Sequence, residues 1–484
     1  MDGVGAVRLA GMCGDVRAGR GPAYRVLADT IRVLVGDGRL ASGTRLPAER
    51  ALAGQLRVSR VTVTHAYREL RDAGWAQARQ GAGTWVRLPD GELRVDGVWA
   101  PGPVRGGAID LSHAAPAAPS VLPALVRRAA DRLDDELGRH GYGPDGLAAL
   151  RERIAARFTG RGVPTGPDQI VVTGGALHAL HLAVAELTGP GDRVLVEHPT
   201  YPAALDLLAD AGVRPVPVAV GDDPAEFALP RAARQTAARA AFLMADFQNP
   251  TGRLLDDEAR SRLLHRLARH GTVAIVDETF VELDLREPGA PVPLPCAAHA
   301  PRPDDVVTVG SASKIAWGGL RIGWIRAGRG PAARMRRRLA RTQIAPPVLE
   351  QLVAVEVHDA LGTIREERIG QLRTRRDRLV SELAAALPHW RYDVPDGGLA
   401  LWCDLGTPCS TALTAVAPRH GLVLAPGPRF GAGSVFADRL RLPFTHPGPV
   451  LADAVRRLRR AADDVAGRAS GLDTWAGERA GIVV

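Results

Sequence analysis

Lysine is nearly absent from this chain of 484 residues. Its 62 basic side chains comprise 61 arginines and a single lysine, Lys314. Arginine can replace lysine wherever only a positive charge is needed, but its guanidinium group stays protonated. A lysine amine can lose its proton and attack a carbonyl to form a Schiff base. The scarcity of lysine therefore favours a chemical role for Lys314 over the alternative of random drift.

Metal-binding patterns and long apolar runs are also missing. The four cysteines form no CxxC pair and the thirteen histidines show no HExxH spacing, so we predict a reducing compartment and no metal site. No apolar run approaches the roughly 18–20 residues that a membrane span needs. The N-terminus lacks the charged-then-apolar pattern of a signal peptide. We therefore expect a cytoplasmic protein that makes no membrane contact.

Positive charge is concentrated near the N-terminus. Residues 20–88 contain twelve arginines and five acidic residues, which gives +7 of the chain's net charge of +9. A localised positive field is typical of a nucleic-acid-binding surface. A solvated basic face is the alternative that charge alone leaves open.

The pattern of this basic segment predicts a winged helix-turn-helix. Apolar residues at helical spacing run from Tyr24 to Val35, and Pro47 is placed to open a second helix. Ser59 is a natural N-cap for a third helix from Arg60 to Ala73. Residues 75–86 then alternate loosely around two glycines, as a two-stranded wing would.

The same segment resembles the DNA-binding domain of GntR-type bacterial regulators. The resemblance runs over about 40 positions, from Leu46-Pro47-Ala48-Glu49-Arg50 to the Gly-x-Gly-Thr-x-Val of the wing. It implies double-stranded operator DNA as a partner and a recognition helix that begins in the major groove. Val61 and Thr64 stand where relatives can carry polar or basic residues, so no base preference carries over. The DNA-binding residues that the resemblance implies are Arg50, Ser59, Arg60, Thr62, Thr64 and, at the wing tip, Gly81.

The rest of the chain alternates helices with short apolar strands, which predicts an α/β domain with a largely parallel sheet. Strands are expected at 194–196, 241–244, 273–276 and 306–309. Asn249, Asp277 and Lys314 each follow one of these strands. Ligands bind at the carboxyl ends of the strands in such sheets, so we expect these three side chains to share one site.

With Asn249, Asp277 and Lys314 in this order and at this spacing, residues 111–465 resemble fold-type I pyridoxal-phosphate enzymes of the aspartate-aminotransferase class. The resemblance implies pyridoxal 5′-phosphate as cofactor, held by Lys314 as a Schiff base, with Asp277 on the pyridinium nitrogen and Asn249 on the ring 3′-oxygen. Tyr201 matches the aromatic that stacks on the ring, and Arg441 matches the substrate-carboxylate arginine. A surface arginine is the alternative for Arg441. Phosphate ligands are implied at Gly175, Ala176, Ser311 and Arg321, and across a dimer interface at Tyr142.

Two positions depart from that family. Most relatives carry a tyrosine three residues after the aspartate, where this chain has Phe280. Leu177 stands where a polar residue of the phosphate cradle is common. We expect cofactor binding to survive both changes and the tuning of the Schiff base to differ.

A GntR-type head on an aminotransferase-like body resembles the MocR subfamily of transcriptional regulators. That resemblance implies a homodimer that binds DNA and senses a small amine, an amino acid or the cofactor itself. A true aminotransferase with an accessory DNA-binding head is the alternative, because both would begin with the same amine chemistry. The expected parts are an N-terminal extension (1–19), the winged helix-turn-helix (20–88), a Gly/Pro-rich linker (89–110), the aminotransferase-like domain (111–465) and a C-terminal tail (466–484).

Overall fold

Apolar residues spaced three and four apart build the N-terminal head. A computed structural model describes residues 3–17, 22–36, 39–40, 43–79, 83–87, 107–220, 224–432 and 435–477; the first five of these ranges form the head and the last three the body. The elements of the head are α1 (Ala6–Cys13), α2 (Ala23–Gly36), α3 (Glu49–Leu56), α4 (Arg60–Asp72), β1 (Ala76–Arg79) and β2 (Gly83–Val86).

The head confirms the predicted winged helix-turn-helix. Helix α4 buries Val63, Ala66, Tyr67 and Leu70 on one face, which is the spacing of an amphipathic helix. Strands β1 and β2 pair antiparallel as the wing. Helix α3 begins at Glu49 with Ala48 as its N-cap. Pro47 therefore precedes the helix rather than opening it, and its carbonyl instead accepts a hydrogen bond from the Tyr67 hydroxyl at 2.9 Å.

The N-terminal extension contributes to the core of the head. Helix α1 packs against α2 and α3, and its Leu9 and Cys13 are buried in the same apolar cluster as Leu52 and Leu70. Val7, on the opposite face of α1, is 71% exposed. The extension thus covers helices that would otherwise present apolar surface to water.

The body contains twelve helices and twelve strands within its described residues. The helices are α5 (Leu122–Asp131), α6 (Asp134–Leu137), α7 (Ala148–Gly160), α8 (Ala176–Leu187), α9 (Pro202–Asp210), α10 (Ala225–Thr236), α11 (Asp257–Arg269), α12 (Arg329–Thr342), α13 (Val348–Asp359), α14 (Leu361–Ala386), α15 (Ser410–Val416) and α16 (Gly448–Gly477). The strands are β3 (Ile109–Asp110), β4 (Ile170–Thr173), β5 (Arg193–His198), β6 (Arg214–Ala219), β7 (Ala240–Leu243), β8 (Val273–Asp277), β9 (Val306–Ser311), β10 (Gly323–Arg326), β11 (Ala400–Asp404), β12 (Leu422–Val423), β13 (Ala425–Pro426) and β14 (Arg439–Pro443).

A seven-stranded sheet organises the larger part of the body. Its strand order is β4-β10-β9-β8-β7-β5-β6, and β10 alone runs antiparallel to its neighbours. Val194, Leu195 and Val196 of β5 are fully buried, because helices cover both faces of the sheet. The predicted α/β fold and all four predicted strands are confirmed.

A smaller three-stranded sheet, β11-β14-β13, lies in the C-terminal part of the body. Helices α14 and α16 pack against each other beside it, and α16 continues past residue 465 to Gly477. The two-residue strand β3 pairs parallel with β12. This separate two-stranded sheet fixes the last two residues of the predicted linker to the body, one residue before β13 of the small sheet.

The head contacts this smaller part of the body. Helix α2 packs against α15, and the Arg419 guanidinium donates to the Asp29 carboxylate. Asp29 is only 7% exposed, whereas the Arg419 side chain is 41% exposed, so the ion pair is only partly removed from water. Within the described ranges, no helix has the length and apolar character needed to cross a membrane.

The buried face of α1 yields a stability prediction. Leu9→Ala should destabilise the head by about 2–5 kcal/mol, because it leaves a cavity in a packed core. Hydrogen exchange of the α2 and α4 amides in the full-length protein measures the change. Val7→Ala, on the exposed face of the same helix, should leave exchange unaltered. Equal exchange in the two variants would show that α1 does not stabilise the head.

Candidate functional site

Five strand ends meet at one edge of the large sheet. Strands β5, β7, β8 and β9 run parallel to one another. Strands β4 and β9 are both antiparallel to β10, so β4 runs in the same direction as the other four. The carboxyl ends of all five strands therefore share that edge. Each is followed by a part of the predicted site. These parts are Gly175 after β4, Tyr201 after β5, Asn249 after β7, Asp277 at the end of β8 and Lys314 after β9.

Gly175 and Arg321 form a tight cradle at the start of α8. Gly175 has a φ of 102°, and a Cβ at this position would lie 2.5 Å from Arg321 Nη2. Arg321 Nη2 donates to the Gly174 carbonyl at 3.2 Å. The first backbone N–H groups of a helix have no partner within it, so Ala176 and its successor present donors beside the guanidinium group. This combination suits an anion such as a phosphate group.

Ser311 closes the other side of this cradle. Its Oγ donates to the Ile322 carbonyl at 3.0 Å and lies 2.9 Å from Ser313 Oγ. Ile322 directly follows Arg321 in the chain, so the hydroxyl and the guanidinium group are held by one short loop. Leu177, the second residue of α8, is 39% exposed; its side chain adds no polar group to the cradle.

Lys314 lies in a site that lowers its proton affinity. Its Nζ donates to the Ala114 carbonyl at 2.9 Å. Burial, together with the nearby Arg441 and Arg321 guanidinium groups, lowers the pKa of Lys314 to about 8, although Asp277 opposes the effect. An amine with this pKa carries a substantial unprotonated fraction near neutral pH. Such an amine can condense with an aldehyde.

Asp277 is the acidic group beside this lysine. It is 7% exposed and accepts a hydrogen bond from the Thr279 backbone N–H at 2.8 Å. Burial raises its pKa, while the Thr279 hydrogen bonds and Lys314 act in the opposite direction. Burial also raises the pKa of Tyr201, and the Asp277 charge contributes. The Asp277 carboxyl group is therefore close enough to the Tyr201 phenol to affect its ionisation.

Arg441 is inside the site and not on the surface. It is 5% exposed, and burial lowers its pKa to about 10. Nη1 donates to Asn249 Oδ1 at 3.5 Å, Nη2 donates to the Ser112 carbonyl, and the guanidinium carbon lies 4.9 Å from the centre of the Phe430 ring. Nε has no hydrogen-bond partner in the described part of the chain.

Sequence reasoning missed the strap, which we define as residues 110–114. Its carbonyls at Ser112 and Ala114 accept from Arg441 and Lys314. Asp110 fixes the strap: Oδ1 accepts from the Ser112 N–H at 2.7 Å, and Oδ2 lies 2.8 Å from His113 Nδ1. The hydrogen bonds from His113 and Ser112 outweigh burial and lower the pKa of Asp110. No sequence signal marks a backbone carbonyl as a partner for a distant side chain.

Two predicted positions differ from the others in their surroundings. Tyr142 is 67% exposed, and its ring contacts His140 with centroids 5.7 Å apart; within this one chain it is not among the residues gathered around Lys314. Phe280 is 5% exposed and lines a small cavity together with Ala114 and Asn249. The side chain that replaces the usual tyrosine therefore borders the site.

In the head, the predicted DNA-facing residues cluster at the start of α4. Ser59 Oγ accepts from the Thr62 N–H at 3.1 Å as the N-cap, and Thr64 Oγ1 donates to Glu49 Oε2 at 2.7 Å. Arg60 Nε lies 3.5 Å from the same carboxylate oxygen, and its side chain is 72% exposed. Arg50 is exposed on α3. Gly81 lies outside the described residues.

Both parts of the chain match known families. Residues 23–86 match the gntR family of bacterial regulatory proteins, and residues 108–458 match aminotransferase class I and II. The chain is 31% identical over 447 residues to the uncharacterized HTH-type transcriptional regulator YdcR of Escherichia coli K12, covering 85% of this chain and 92% of that protein. It is also 31% identical over 335 residues to the probable rhizopine catabolism regulatory protein MocR of Rhizobium meliloti, covering 63% of this chain and 65% of that protein.

The body also resembles solved aminotransferase structures. One is LysN, the alpha-aminoadipate aminotransferase of Thermus thermophilus, in complex with N-(5′-phosphopyridoxyl)-L-leucine. The TM-score is 0.68 at 27% identity, over 75% of this chain and 94% of that one. Fold and matched segments together define a helix-turn-helix regulator with an aminotransferase-like body. The chain belongs to the MocR-type regulators of the GntR family.

Lys314 yields a prediction about covalent capture. Borohydride reduction in the presence of pyridoxal phosphate should attach the cofactor to a side chain of the wild-type protein and to no side chain of Lys314→Ala, because no other lysine exists. Since the pKa of Lys314 is lowered from 10.5 to about 8, the rate of capture by the apoprotein should rise with pH and level off above about 8. Mass spectrometry of the reduced protein measures both. Equal labelling of the two proteins would contradict a Schiff base at Lys314.

The departure at Phe280 yields a second prediction. Phe280→Tyr supplies a phenol next to the predicted ring 3′-oxygen, and a hydrogen bond to a charged group contributes about 1.5–3 kcal/mol. Because that bond stabilises the deprotonated Schiff base, its apparent pKa should fall by about 1–2 pH units. A pH titration of the near-visible absorption band measures this. An unchanged or raised pKa would show that the side chain does not face the cofactor.

Proposed function

We propose that this protein is a transcriptional regulator whose body holds pyridoxal 5′-phosphate on Lys314 and responds to a small ligand that carries an amino group. The observation that carries the proposal is the environment of the single lysine: a half-buried side chain whose amine has a lowered pKa, beside Asp277 and next to an anion cradle. The cofactor supplies an aldehyde for amine condensation and an electron-accepting ring.

The residues around Lys314 fit this cofactor. Arg321, Ser311 and the N-terminus of α8 would hold its phosphate group, and a Cβ at Gly175 would close the space between them. Asp277 would pair with the pyridinium nitrogen and Asn249 with the ring oxygen. Tyr201, at the N-cap of α9, would stack on the ring.

Arg441 supports a ligand that bears a carboxylate. It is a buried guanidinium group close to the amine, and one of its nitrogens lacks a partner in the described chain. A carboxylate forms charge-assisted hydrogen bonds with guanidinium that are stronger than those of a neutral carbonyl. An amino acid could thus occupy Arg441 in competition with the Ser112 carbonyl, while its amino group reacts near Lys314.

The strap offers a route from the ligand to the head. Lys314 and Arg441 both donate to strap carbonyls. The strap follows the predicted linker directly. Condensation of the Lys314 amine with the cofactor and binding of a ligand carboxylate to Arg441 would each change one of these strap contacts. A linker of about 20 residues, at most about 65–70 Å when extended, limits how far the head can move in response.

Two further features belong to the proposal. The implied role of Tyr142 requires a second chain, and its exposure in a single chain supports a homodimer. A role in operator binding supports a location in the bacterial cytoplasm. A turning-over aminotransferase is the competing function: steady conversion of an amino acid and a keto acid, without any effect of the amine on DNA binding, would favour it.

DNA binding provides one test. Arg60→Ala should weaken operator binding, by about 1–3 kcal/mol if the side chain reads a base edge, and Arg50→Ala should also weaken it. Fluorescence anisotropy at several salt concentrations measures affinity and its salt dependence. Arg329→Ala removes a similarly exposed arginine from the body (77% against 72% exposed) and should leave affinity intact. Equal losses in the head and body variants would contradict the assigned DNA surface.

Coupling between the two parts provides a second test. If the amine ligand shifts the protein between two states, operator DNA must change the affinity for the amine by the same factor as the amine changes the affinity for DNA. A coupling of about 1–3 kcal/mol corresponds to roughly 5–150-fold. Candidate amines are titrated with and without operator while the absorption band is followed. Identical binding curves for an amine that alters the band would show that body and head are uncoupled.

A further inference from the structure

An apolar side chain stands at the leading end of the recognition helix. Val61, the second residue of α4, is 61% exposed, whereas Val63 two positions on is fully buried. Single exposed valines are common on protein surfaces and need no explanation by themselves. The place of this one is unusual, because first-turn residues of a recognition helix are the ones that reach base edges.

The polar side chains of the same turn are engaged within the head. Ser59 Oγ caps the helix and lies 2.9 Å from Thr62 Oγ1. Thr64 Oγ1 donates to Glu49 and lies 3.0 Å from the Arg60 carbonyl. Arg60 and Val61 are both exposed at the start of the helix, whereas Thr62 and Thr64 are half-buried.

Valine is also suited to a rigid apolar contact. A β-branched side chain has one strongly preferred χ1 rotamer in a helix, so little side-chain freedom is lost when its methyl groups are covered. Of the four bases, only thymine presents an apolar group in the major groove, its C5-methyl. Cytosine, adenine and guanine offer hydrogen-bonding groups that valine cannot satisfy.

We infer that Val61 is a base-specificity residue that contacts the C5-methyl group of a thymine in the operator. This inference rests on the proposed DNA-binding function and adds to it the kind of contact that the protein makes with one base of the operator. Arg60 beside it supplies hydrogen bonds and charge. Val61 favours a base that carries a methyl group over bases that do not, and a polar residue at this position would not provide that preference.

The experiment removes the methyl group from the DNA. Duplexes that bind the full-length protein are first selected from a random pool. Each thymine of the selected operator is then replaced in turn by deoxyuridine, which lacks the C5-methyl and keeps the same base pairing. Dissociation constants are measured by fluorescence anisotropy at one fixed salt concentration. For the wild-type protein, we expect about a fourfold loss of affinity for each replacement at one thymine position per half-site, the equivalent of one buried methyl group at about 0.8 kcal/mol.

Two variants make the result specific. Val61→Ser should bring the ratio of deoxyuridine to thymine affinities at that position close to one. Val7→Ser, which alters a valine of similar exposure on α1, should retain the fourfold ratio.

The outcomes separate this inference from the proposed function. If the wild type senses no thymine methyl group in the operator, or if Val61→Ser senses it equally, the role of Val61 is overturned. The proposed function is not affected by that result. Failure to select any duplex overturns the proposed function and, with it, this inference.

Discussion

The placement of one half-buried amine governs the site. Lys314 donates to a backbone carbonyl, and the charged groups that affect it are two guanidiniums and one carboxylate. Three cationic groups therefore surround a single acid, Asp277. Arg441 is buried, Lys314 is half-buried and Arg321 is exposed. Positive charge that is partly removed from water is unfavourable without counter-anions, so the site favours negatively charged groups. A phosphate group at Arg321 and a carboxylate at Arg441 would each supply it.

The strap connects this charge arrangement to the architecture. Asp110 organises the turn by hydrogen bonds to Ser112 and His113, and strand β3 pairs with β12, which is separated from β13 of the small sheet by one residue. The Ser112 carbonyl then meets Arg441, which the register of the small sheet places opposite Trp402. The large sheet positions Lys314 and the small sheet positions Arg441. The strap is hydrogen-bonded to both side chains, so its position depends on the distance between Lys314 and Arg441.

Sequence was informative where a side chain follows a buried strand. Asn249, Asp277 and Lys314 could be located because each polar residue interrupts an apolar run, and parallel strands bring such ends together. Backbone acceptors such as the Ala114 carbonyl carry no such signal, since any residue has one. The packing of α1 was missed because its eight residues are too few to establish helical periodicity. Arg441 could not be separated from a surface arginine, because its burial depends on how two sheets meet.

The scarcity of lysine has a consequence for selectivity. Pyridoxal phosphate is an aldehyde, and on most proteins it condenses reversibly with many exposed ε-amines. Here the surface offers no ε-amine decoys, because the only one is Lys314, held inward against Ala114. Aldehyde chemistry on the side chains of this protein therefore has a stoichiometry of one per chain. The optical signal of the bound cofactor then counts occupied sites directly, without a background from adventitious adducts on other lysines.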